Sequence, residues 1–389
     1  MRLAGFIGLF VLCYGETAMA DAAAAVPPPN KKVLSVIDED PIPSPRANAM
    51  GGAIGTVADD LDAAFHNPAG IGGLNQKAEA QAPLIRKFYF PAVTVEANQN
   101  APTLIHDLKK SGASSDGAVG QTVIDSHADQ RNYARANVAT GMVLGRAMVL
   151  PFSDTQMATT PRGENSGILD THYRNMNGVG YGLSVQSPDG GISLGYFGYA
   201  ATRQETEGAL MYADIIDASK RKDALKAASQ TYSGTGNNVG AIWRMNYRGS
   251  PTLGLNVKNA GDATFKAKGG EQLRVKQDVQ SSFSLSPNLG RFGVMNFVAE
   301  AGDLERKSTP FSKKYHLGME MLLGKRPGSY SVFALRTGYT AAGPSAGLAL
   351  HLGLVGFDVS AYCVDISADS SRVVERRASA TAFVNVAEF

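Results

Sequence analysis

Residues 348–354 run Leu348-Ala349-Leu350-His351-Leu352-Gly353-Leu354, with an apolar residue at every second position and small or polar residues between. Successive side chains of a β-strand point to opposite faces, so this stretch predicts a strand with one apolar and one small or polar face. The same alternation recurs at 179–186, 239–247, 315–323 and 357–363. From about residue 85 onward, period-two alternation is the dominant pattern and favours an all-β chain.

The spacing of these segments indicates how they are connected. Strands are predicted at 85–97, 134–143, 147–154, 177–187, 191–204, 235–247, 251–258, 272–285, 291–300, 313–324, 329–340, 343–354, 356–367 and 372–389, which makes 14. Every second connection is tight, and the alternate set includes the long ones near 98–133, 155–176 and 205–234. Short turns on one side and long loops on the other are typical of outer-membrane barrels. A soluble sandwich also alternates, but it lacks this one-sided asymmetry. We therefore expect a 14-stranded antiparallel transmembrane β-barrel.

The first 20 residues predict an export signal. Arg2 supplies positive charge, an apolar core follows, and Ala18-Met-Ala20 offers a cleavage site, so the mature chain is expected to begin at Asp21. Cleavage would leave Cys363 alone, and no internal disulfide could then form. The predicted location is the cell outer membrane, reached by export through the inner membrane. Phe389 ends the chain as a terminal aromatic, which outer-membrane proteins commonly carry as an assembly signal.

Composition and motifs exclude several function classes. The net charge of +2 gives no indication of a nucleic-acid partner. The histidines are scattered without the spacing of metal ligands, so neither a metal site nor a cofactor is expected. No nucleophile elbow, zinc-protease motif or kinase loop occurs, and we expect no catalytic residues and no enzyme activity.

The chain before the strands divides into two parts. Residues 21–45 are rich in proline and alanine and predict an extended periplasmic linker. Residues 46–80 are a compact unit, in which Asp59 or Asp60 could cap a short helix that Asn67-Pro68 ends. Residues 81–389 would form the barrel.

The stretch from Met50-Gly-Gly-Ala-Ile-Gly to Phe65-His-Asn-Pro-Ala-Gly-Ile resembles the N-terminal signature of the FadL superfamily of outer-membrane barrels. This superfamily includes fatty-acid and aromatic-hydrocarbon channels and the PorV-like proteins of surface secretion. The resemblance implies 14 strands and an N-terminal plug, or hatch, inside the barrel, although a periplasmic tail is the alternative. The plug motif would comprise Met50, Gly51, Gly52, Gly55, Asp59, Asp60, Phe65, Asn67, Pro68 and Gly70. The stretches 253–261 and 335–348 look more like the PorV-like branch.

Two further residue groups are candidates for function. Five charged residues on the polar faces of strands could line a channel, contact the plug or form a structural polar network: Arg244, Lys258, Glu320, Arg336 and Asp358. Residues 207–228 break the alternation and predict an outer-loop helix. Its apolar residues could catch a hydrophobic ligand or simply cover the barrel: Leu210, Met211, Ile215 and Leu225.

Two functions remain open at this point. The plug motif and the outer helix favour passive transport of hydrophobic small molecules, fatty-acid-like or aromatic, across the outer membrane. In the fatty-acid channels such substrates pass inward through a gap in the wall. The PorV-like stretches and the long outer loops favour a scaffold that binds secreted or surface-assembled proteins. The expected partners are outer-membrane lipid with either a hydrophobic ligand or a protein at the extracellular loops.

Overall fold

The computed structural model describes residues 39–73, 85–110, 117–144, 146–162, 167–211, 220, 223, 229–306, 310–324, 332–352, 354–366 and 373–387. The strands are β1 (Ile85–Asn98), β2 (Asn132–Leu144), β3 (Ala147–Pro161), β4 (Ile168–Gln186), β5 (Ile192–Met211), β6 (Ser229–Arg244), β7 (Thr252–Lys258), β8 (Ala263–Ala267), β9 (Gln272–Val275), β10 (Asp278–Leu285), β11 (Gly293–Ala301), β12 (Tyr315–Leu323), β13 (Phe333–Thr340), β14 (Gly343–Leu352), β15 (Val355–Asp365) and β16 (Val374–Ala387). The helices are α1 (Pro45–Ala49), α2 (Ala63–His66), α3 (Gly70–Gly73), α4 (Asn100–Lys110) and α5 (Gly117–Ser126).

All the strands belong to one antiparallel sheet that closes on itself. Neighbours in sequence pair from β1 to β7 and from β10 to β16, β7 pairs with β10, and the pairing of β1 with β16 closes the ring. Fourteen strands form the closed wall, which confirms the predicted fold class. Strands β8 and β9 form a short hairpin that extends the sheet, because β8 pairs with residues 232–235 of β6. The edge that carries the long connections is called the extracellular edge below, and the opposite edge the periplasmic edge.

The outward face of the wall is apolar. Val179, Tyr181, Leu183 and Val185 of β4 have exposed fractions of 50 to 58%, whereas Ser184 between them is only 3% exposed. So many exposed apolar side chains in adjacent strands are typical of a surface that faces lipid. The alternation read from the sequence therefore separates a lipid face from a lumenal face. None of the described helices is long and apolar enough to cross a membrane.

Several sequence predictions are corrected at the extracellular edge. Residues 155–176 were expected to be a loop, but β3 and β4 run through most of this range. The predicted strand 272–285 is divided into β9 and β10, and β8 was not predicted. The helix expected at 207–228 is wrong for its first residues, because β5 continues to Met211. Of its remainder the structure describes Lys220 and Asp223, both helical. The predicted signal peptide and Phe389 lie outside the described residues.

Candidate functional site

Residues 39–73, called the inner segment, lie inside the barrel. Lumen-facing side chains of three separate strands donate hydrogen bonds to its backbone carbonyls: Asn137 to Pro41 at 2.7 Å, Asn238 to Ala64 at 3.1 Å and Ser345 to Ala49 at 2.9 Å. Contacts with β2, β6 and β14 surround the segment on all sides. The plug expected from the FadL resemblance is thus within the lumen, and residues 74–80 of its predicted range lie outside the described residues.

The first residues of the inner segment correct the predicted linker. Glu39 forms ion pairs with Arg174 at 3.1 Å and Arg203 at 2.7 Å, and Asp40 pairs with Lys258 at 2.7 Å. All three cations lie in the extracellular half of their strands. Residues 39–44 are therefore held in the lumen, and a periplasmic linker is wrong for them. The rest of the range 21–45 before them lies outside the described residues.

Local sequence explains the fold of the inner segment. Ser44 caps α1, since its Oγ accepts a hydrogen bond from the Ala47 N–H at 3.0 Å, and Pro45 occupies the first helical turn. Helix α2 ends at His66 before Asn67, as predicted, but Asp62 rather than Asp59 or Asp60 occupies its N-cap position. The side chain of Asn67 then donates to Gly55 O at 2.7 Å and fixes the turn that follows.

Glycines allow the inner segment and the wall to approach closely. Gly51 has a positive φ of 64°, and a Cβ there would lie 3.0 Å from Tyr339 N. A Cβ at Gly338 of the wall would lie 2.2 Å from the Met50 carbonyl carbon. The lumen-facing strand glycines that contact the segment in this way were missed by sequence reasoning: Gly141, Gly182, Gly195, Gly240, Gly254, Gly318, Gly338 and Gly347. The sequence feature that could have identified them is a glycine on the lumenal face of a strand whose opposite face is apolar.

Arg46 anchors the segment to one side of the lumen. Its guanidinium donates two hydrogen bonds to Glu320, at 2.9 and 2.8 Å, and further bonds to Asp59 at 2.6 Å and Asp60 at 3.0 Å. Glu320 is fully buried and also accepts a bond from Arg336 at 2.8 Å. A bidentate guanidinium–carboxylate pair is strong and directional. The interaction thus fixes both the position and the orientation of α1.

All five charged residues predicted on the lumenal face do lie there. Glu320, Arg336 and Asp358 form one chain, in which Arg336 donates to Asp358 at 2.7 Å. Lys258 pairs with Asp40, and Arg244 donates to the buried Ser193 at 3.1 Å. Of the five, Glu320 and Lys258 bind the inner segment directly, through Arg46 and Asp40. That the five residues line a channel stays a prediction.

Two more buried polar groups were not foreseen. Arg135 and Asp154, both fully buried, pair at 2.7 Å, and Arg174 reaches the same carboxylate at 3.4 Å. Nearby, Glu375 of β16 binds both Arg131 and Arg377 at 2.7 Å, and Arg377 stacks on Tyr133 of β2. Sequence patterns place such residues on a face but do not pair them across tens or hundreds of positions.

A continuous group of buried apolar side chains, called the apolar seam, lies between the inner segment and the wall, mostly on the side of the lumen formed by β2 to β6. At its centre, Phe65 of the inner segment lies 5.0 Å from Phe197, 5.6 Å from Tyr199 and 6.0 Å from Phe152, measured between ring centroids. The seam reaches the periplasmic edge through Ile71, Met148 and Val143, and the extracellular hairpin β8–β9 through Tyr232, Phe265, Leu273 and Val275. Lumens of outer-membrane barrels are usually polar, whereas this side of the lumen is apolar where the inner segment packs against the wall.

The residues predicted to catch a ligand are only partly described. Leu210 is buried and pairs with Leu169 in the β4–β5 ladder, and Met211 is 40% exposed at the end of β5. Ile215 and Leu225 lie outside the described residues. The ligand-catch role stays a prediction.

A cavity of about 440 Å³ lies at the extracellular side of the lumen, between the inner segment and the ends of β11 to β16. Asn48, Gly51 and Gly52 contribute to it from the segment. The wall contributes Asp303, Lys313, His316, Thr340, Ala341, Ala342, Gly343, Ser345, Tyr362, Cys363, Val364, Asp365 and Arg377.

Three carboxylates come together near this cavity. Asp278, Asp303 and Glu305 have oxygens within 4.8 Å of one another. Asp278 and Glu305 accept hydrogen bonds from the backbone N–H groups of Asp303 and Val279, at 2.7 and 2.9 Å. These hydrogen bonds indicate that the three carboxylates stabilise the loop after β11.

No protein-family model matches this sequence, and no curated protein matches it. Solved barrel structures do match. The toluene transporter TodX of P. putida is 9% identical, with a TM-score of 0.46 over 88% of this chain and 97% of that chain. A TodX deltaS2S3 mutant, a monoaromatic hydrocarbon channel, is 10% identical, with a TM-score of 0.49 over the same shares. The translocator domain of the autotransporter NalP from Neisseria meningitidis is 9% identical, with a TM-score of 0.36 over 77% of this chain and 88% of that chain.

The wall and the inner segment together define the class of the protein. It has the fold of an outer-membrane β-barrel. Its 14 strands and the N-terminal segment within the lumen are the two features that the FadL resemblance implies, and both are present. The resemblance to the PorV-like branch stays a prediction.

Proposed function

We propose that this barrel allows small uncharged hydrophobic molecules to cross the outer membrane along the apolar seam. The observation that carries the proposal is the seam itself, which extends from the hairpin β8–β9 to the periplasmic edge inside the lumen. Water-filled pores need a polar lining, whereas a neutral hydrophobic solute is stabilised by apolar walls.

The two sides of the lumen would then have different tasks. The polar network around Arg46 and Glu320 holds the inner segment, while Phe65 closes the seam from the same segment. Because the seam is packed, passage requires the aromatic rings to rotate or the segment to shift. Aromatic packing carries no charge, so its rearrangement avoids the large cost of separating buried ions. The rings are therefore the part of the interior that would move.

Two interruptions of strand pairing in the wall beside the seam support lateral movement of a solute into the membrane. Pro91 of β1 coincides with a register shift in both ladders of that strand. Pro151 of β3 lies where the β2–β3 pairs skip from Phe152 to Val149. Proline cannot donate a ladder hydrogen bond. Leu61 of the inner segment covers the strand between them, since a Cβ at Gly141 of β2 would lie 2.1 Å from it. A shift of Leu61 would therefore uncover this part of the wall.

Uptake of N-phenylnaphthylamine by intact cells tests the proposal, because this dye fluoresces only after it reaches an apolar environment. Cells that produce the protein should take it up faster than cells that do not. Leu273→Glu places a carboxylate at the half-buried extracellular end of the seam. A cost of roughly 1 kcal/mol for a neutral ring passing it gives about fivefold slower uptake.

Gln272→Glu is the matched control, since it adds the same charge on the exposed face of the same hairpin. It should leave uptake unchanged. Equal uptake with and without the protein, at equal amounts of folded barrel, would exclude passage along the seam.

A protein-binding scaffold is the second candidate, and the length of the strands favours it. Strands β4 and β5 have 19 and 20 residues, whereas about 9 to 11 suffice to span a membrane. Their ends project beyond the bilayer as an ordered wall on which a protein could dock. Cross-linking in cells should then capture one protein reproducibly; repeated recovery of the barrel alone would argue against a scaffold.

A further inference from the structure

We infer that the free edge of β9 binds an extended acidic segment of a protein outside the cell, which would join the sheet as an additional strand. The inference rests on the second candidate function, the scaffold, and names the kind of partner it would hold. It is independent of passage along the apolar seam, because the seam contacts the opposite, apolar face of the hairpin β8–β9.

Strand β9 has a neighbour on one side only. It is the last strand at its end of the sheet and pairs with β8. The Ala267 N–H donates to the Glu271 carbonyl at 2.9 Å and closes the hairpin. Because the bonded pairs of an antiparallel ladder alternate, Leu273 bonds to β8, whereas the N–H and C=O groups of Gln272 and Arg274 face the free edge. Within the part of the chain that the structure describes, no hydrogen bond joins these edge groups to another element.

An open edge of this kind fits a polypeptide. Its N–H and C=O groups form a template on which an extended segment can pair as a further strand. The phosphate groups of a lipid offer acceptors alone, so they would leave the edge carbonyls without partners. A peptide backbone supplies donors and acceptors at the spacing of the edge.

The exposed face of the hairpin selects an acidic partner. Residues 263–276 contain four cations and one carboxylate, although the whole chain has a net charge of only +2. The four cations are exposed, and none of them forms an ion pair among the described residues: Lys266, Lys268, Arg274 and Lys276. Cations on an edge strand oppose pairing with neutral or basic strands. An acidic strand would instead be attracted, which gives the edge its specificity.

The hairpin is also accessible from outside the cell. Strand β8 pairs with residues 232–235 of β6, which continues down to Arg244 at the periplasmic edge. Since about 9 to 11 residues span a membrane, the hairpin lies at or beyond the outer surface of the bilayer. A partner could therefore reach β9 without entering the lumen.

Fluorescence anisotropy with the full-length barrel in detergent tests the inference on the unaltered protein. The probe is a short dye-labelled peptide of alternating glutamate and valine. The same peptide with all backbone amides N-methylated should bind at least about tenfold more weakly, because it cannot donate hydrogen bonds to the edge. A peptide with lysine in place of glutamate should not bind.

Three results would overturn the inference. They are no binding of the acidic peptide, equal binding of its N-methylated form, and equal binding of the lysine peptide. Binding of lipopolysaccharide by the hairpin without binding of the acidic peptide would assign the basic face to a lipid headgroup instead. If cross-linking in cells captures a protein although the acidic peptide does not bind, the scaffold stands and the β9 edge is rejected.

Two variants and one exchange measurement locate the binding. Gln272→Pro removes an N–H of the free edge without changing the charge, and should weaken the acidic peptide about fivefold. Lys266→Glu combined with Arg274→Glu should weaken it at least about tenfold. Arg376→Glu is the matched control, because it reverses an exposed charge of β16 on the far side of the ring, and should leave the affinity unchanged.

Hydrogen exchange of the wild-type barrel gives the position of the bound peptide directly. The acidic peptide should slow exchange at residues 272–276, where the free edge is otherwise open to solvent. Unchanged exchange at these residues in the saturated complex, or an equal loss of affinity in the Arg376→Glu control, would place the peptide elsewhere and refute the assignment.

Discussion

Removal of the Arg46 side chain tests how the inner segment is held in the lumen. In Arg46→Ala, Glu320 loses two of its four hydrogen bonds but keeps Arg336 at 2.8 Å and Asn296 at 2.9 Å. Loss of one partner of a buried ion pair costs about 3 to 5 kcal/mol, and the two remaining partners place this case at the lower end. Loss of the ion pair with Asp59 adds little to this free-energy cost, because the Asp59 side chain is 57% exposed.

A cost of about 3 kcal/mol increases the open population of the segment by roughly 100-fold. Hydrogen exchange followed by mass spectrometry measures this directly on residues 47–58, whose amides at Asn48, Met50 and Ala58 bond within the segment. Exchange should accelerate there and not in the strand ladders. Arg306→Ala, which removes a more exposed ion pair, is the control. If Arg46→Ala exchanged no faster than this control, Arg46 would not be the anchor.

Two further substitutions test the interior. Gly338→Val should force the inner segment from the wall, because a Cβ there would lie 2.2 Å from the Met50 carbonyl carbon; overpacking of this kind costs about 1 to 3 kcal/mol, and exchange at 47–58 should rise. Arg135→Ala should lower the free energy of unfolding in urea by about 3 kcal/mol, because the fully buried Asp154 loses its 2.7 Å partner but keeps Gln156 at 2.9 Å and Arg174 at 3.4 Å.

Each of these substitutions has a control at a less restricted site. Gly208→Val should be tolerated, since no atom lies within 4 Å of a Cβ built there. A Gly338→Val barrel with wild-type exchange would show that the segment does not touch β13. For Arg135, equal unfolding free energies of Arg135→Ala and Arg306→Ala would show that burial of the ion pair contributes no stability.

The wall was predictable from the sequence because lipid imposes a local rule. Leu348, Leu350 and Leu352 alternate since each lipid-facing position must be apolar, whatever its partner strand. This requirement for apolar residues ends where the strands leave the bilayer. Thr155, Thr159 and Thr171 put polar residues on the outward face of β3 and β4, so these strand ends looked like loops. The hairpin β8–β9 was missed for a related reason: its strands are short and lie outside the apolar band.

The interior was less predictable because its contacts are not local. Alternation places Glu320 on the polar face of its strand, but no pattern pairs it with Arg46, which lies 274 positions away. Residues 39–44 were wrongly assigned to a periplasmic linker because proline restricts the backbone but does not indicate what surrounds it. Glu39 and Asp40 are held by Arg174, Arg203 and Lys258 of the folded wall. Only the closed barrel brings these charges together.

The most direct test of the proposed function is a crystal of the barrel soaked with iodobenzene and measured at a wavelength at which iodine scatters anomalously. Passage along the apolar seam predicts iodine peaks inside the lumen, next to Phe65, Phe197 and Tyr199, where the rings form the centre of the seam. Iodine peaks confined to the lipid-facing surface of the wall, with none inside the lumen, would contradict it.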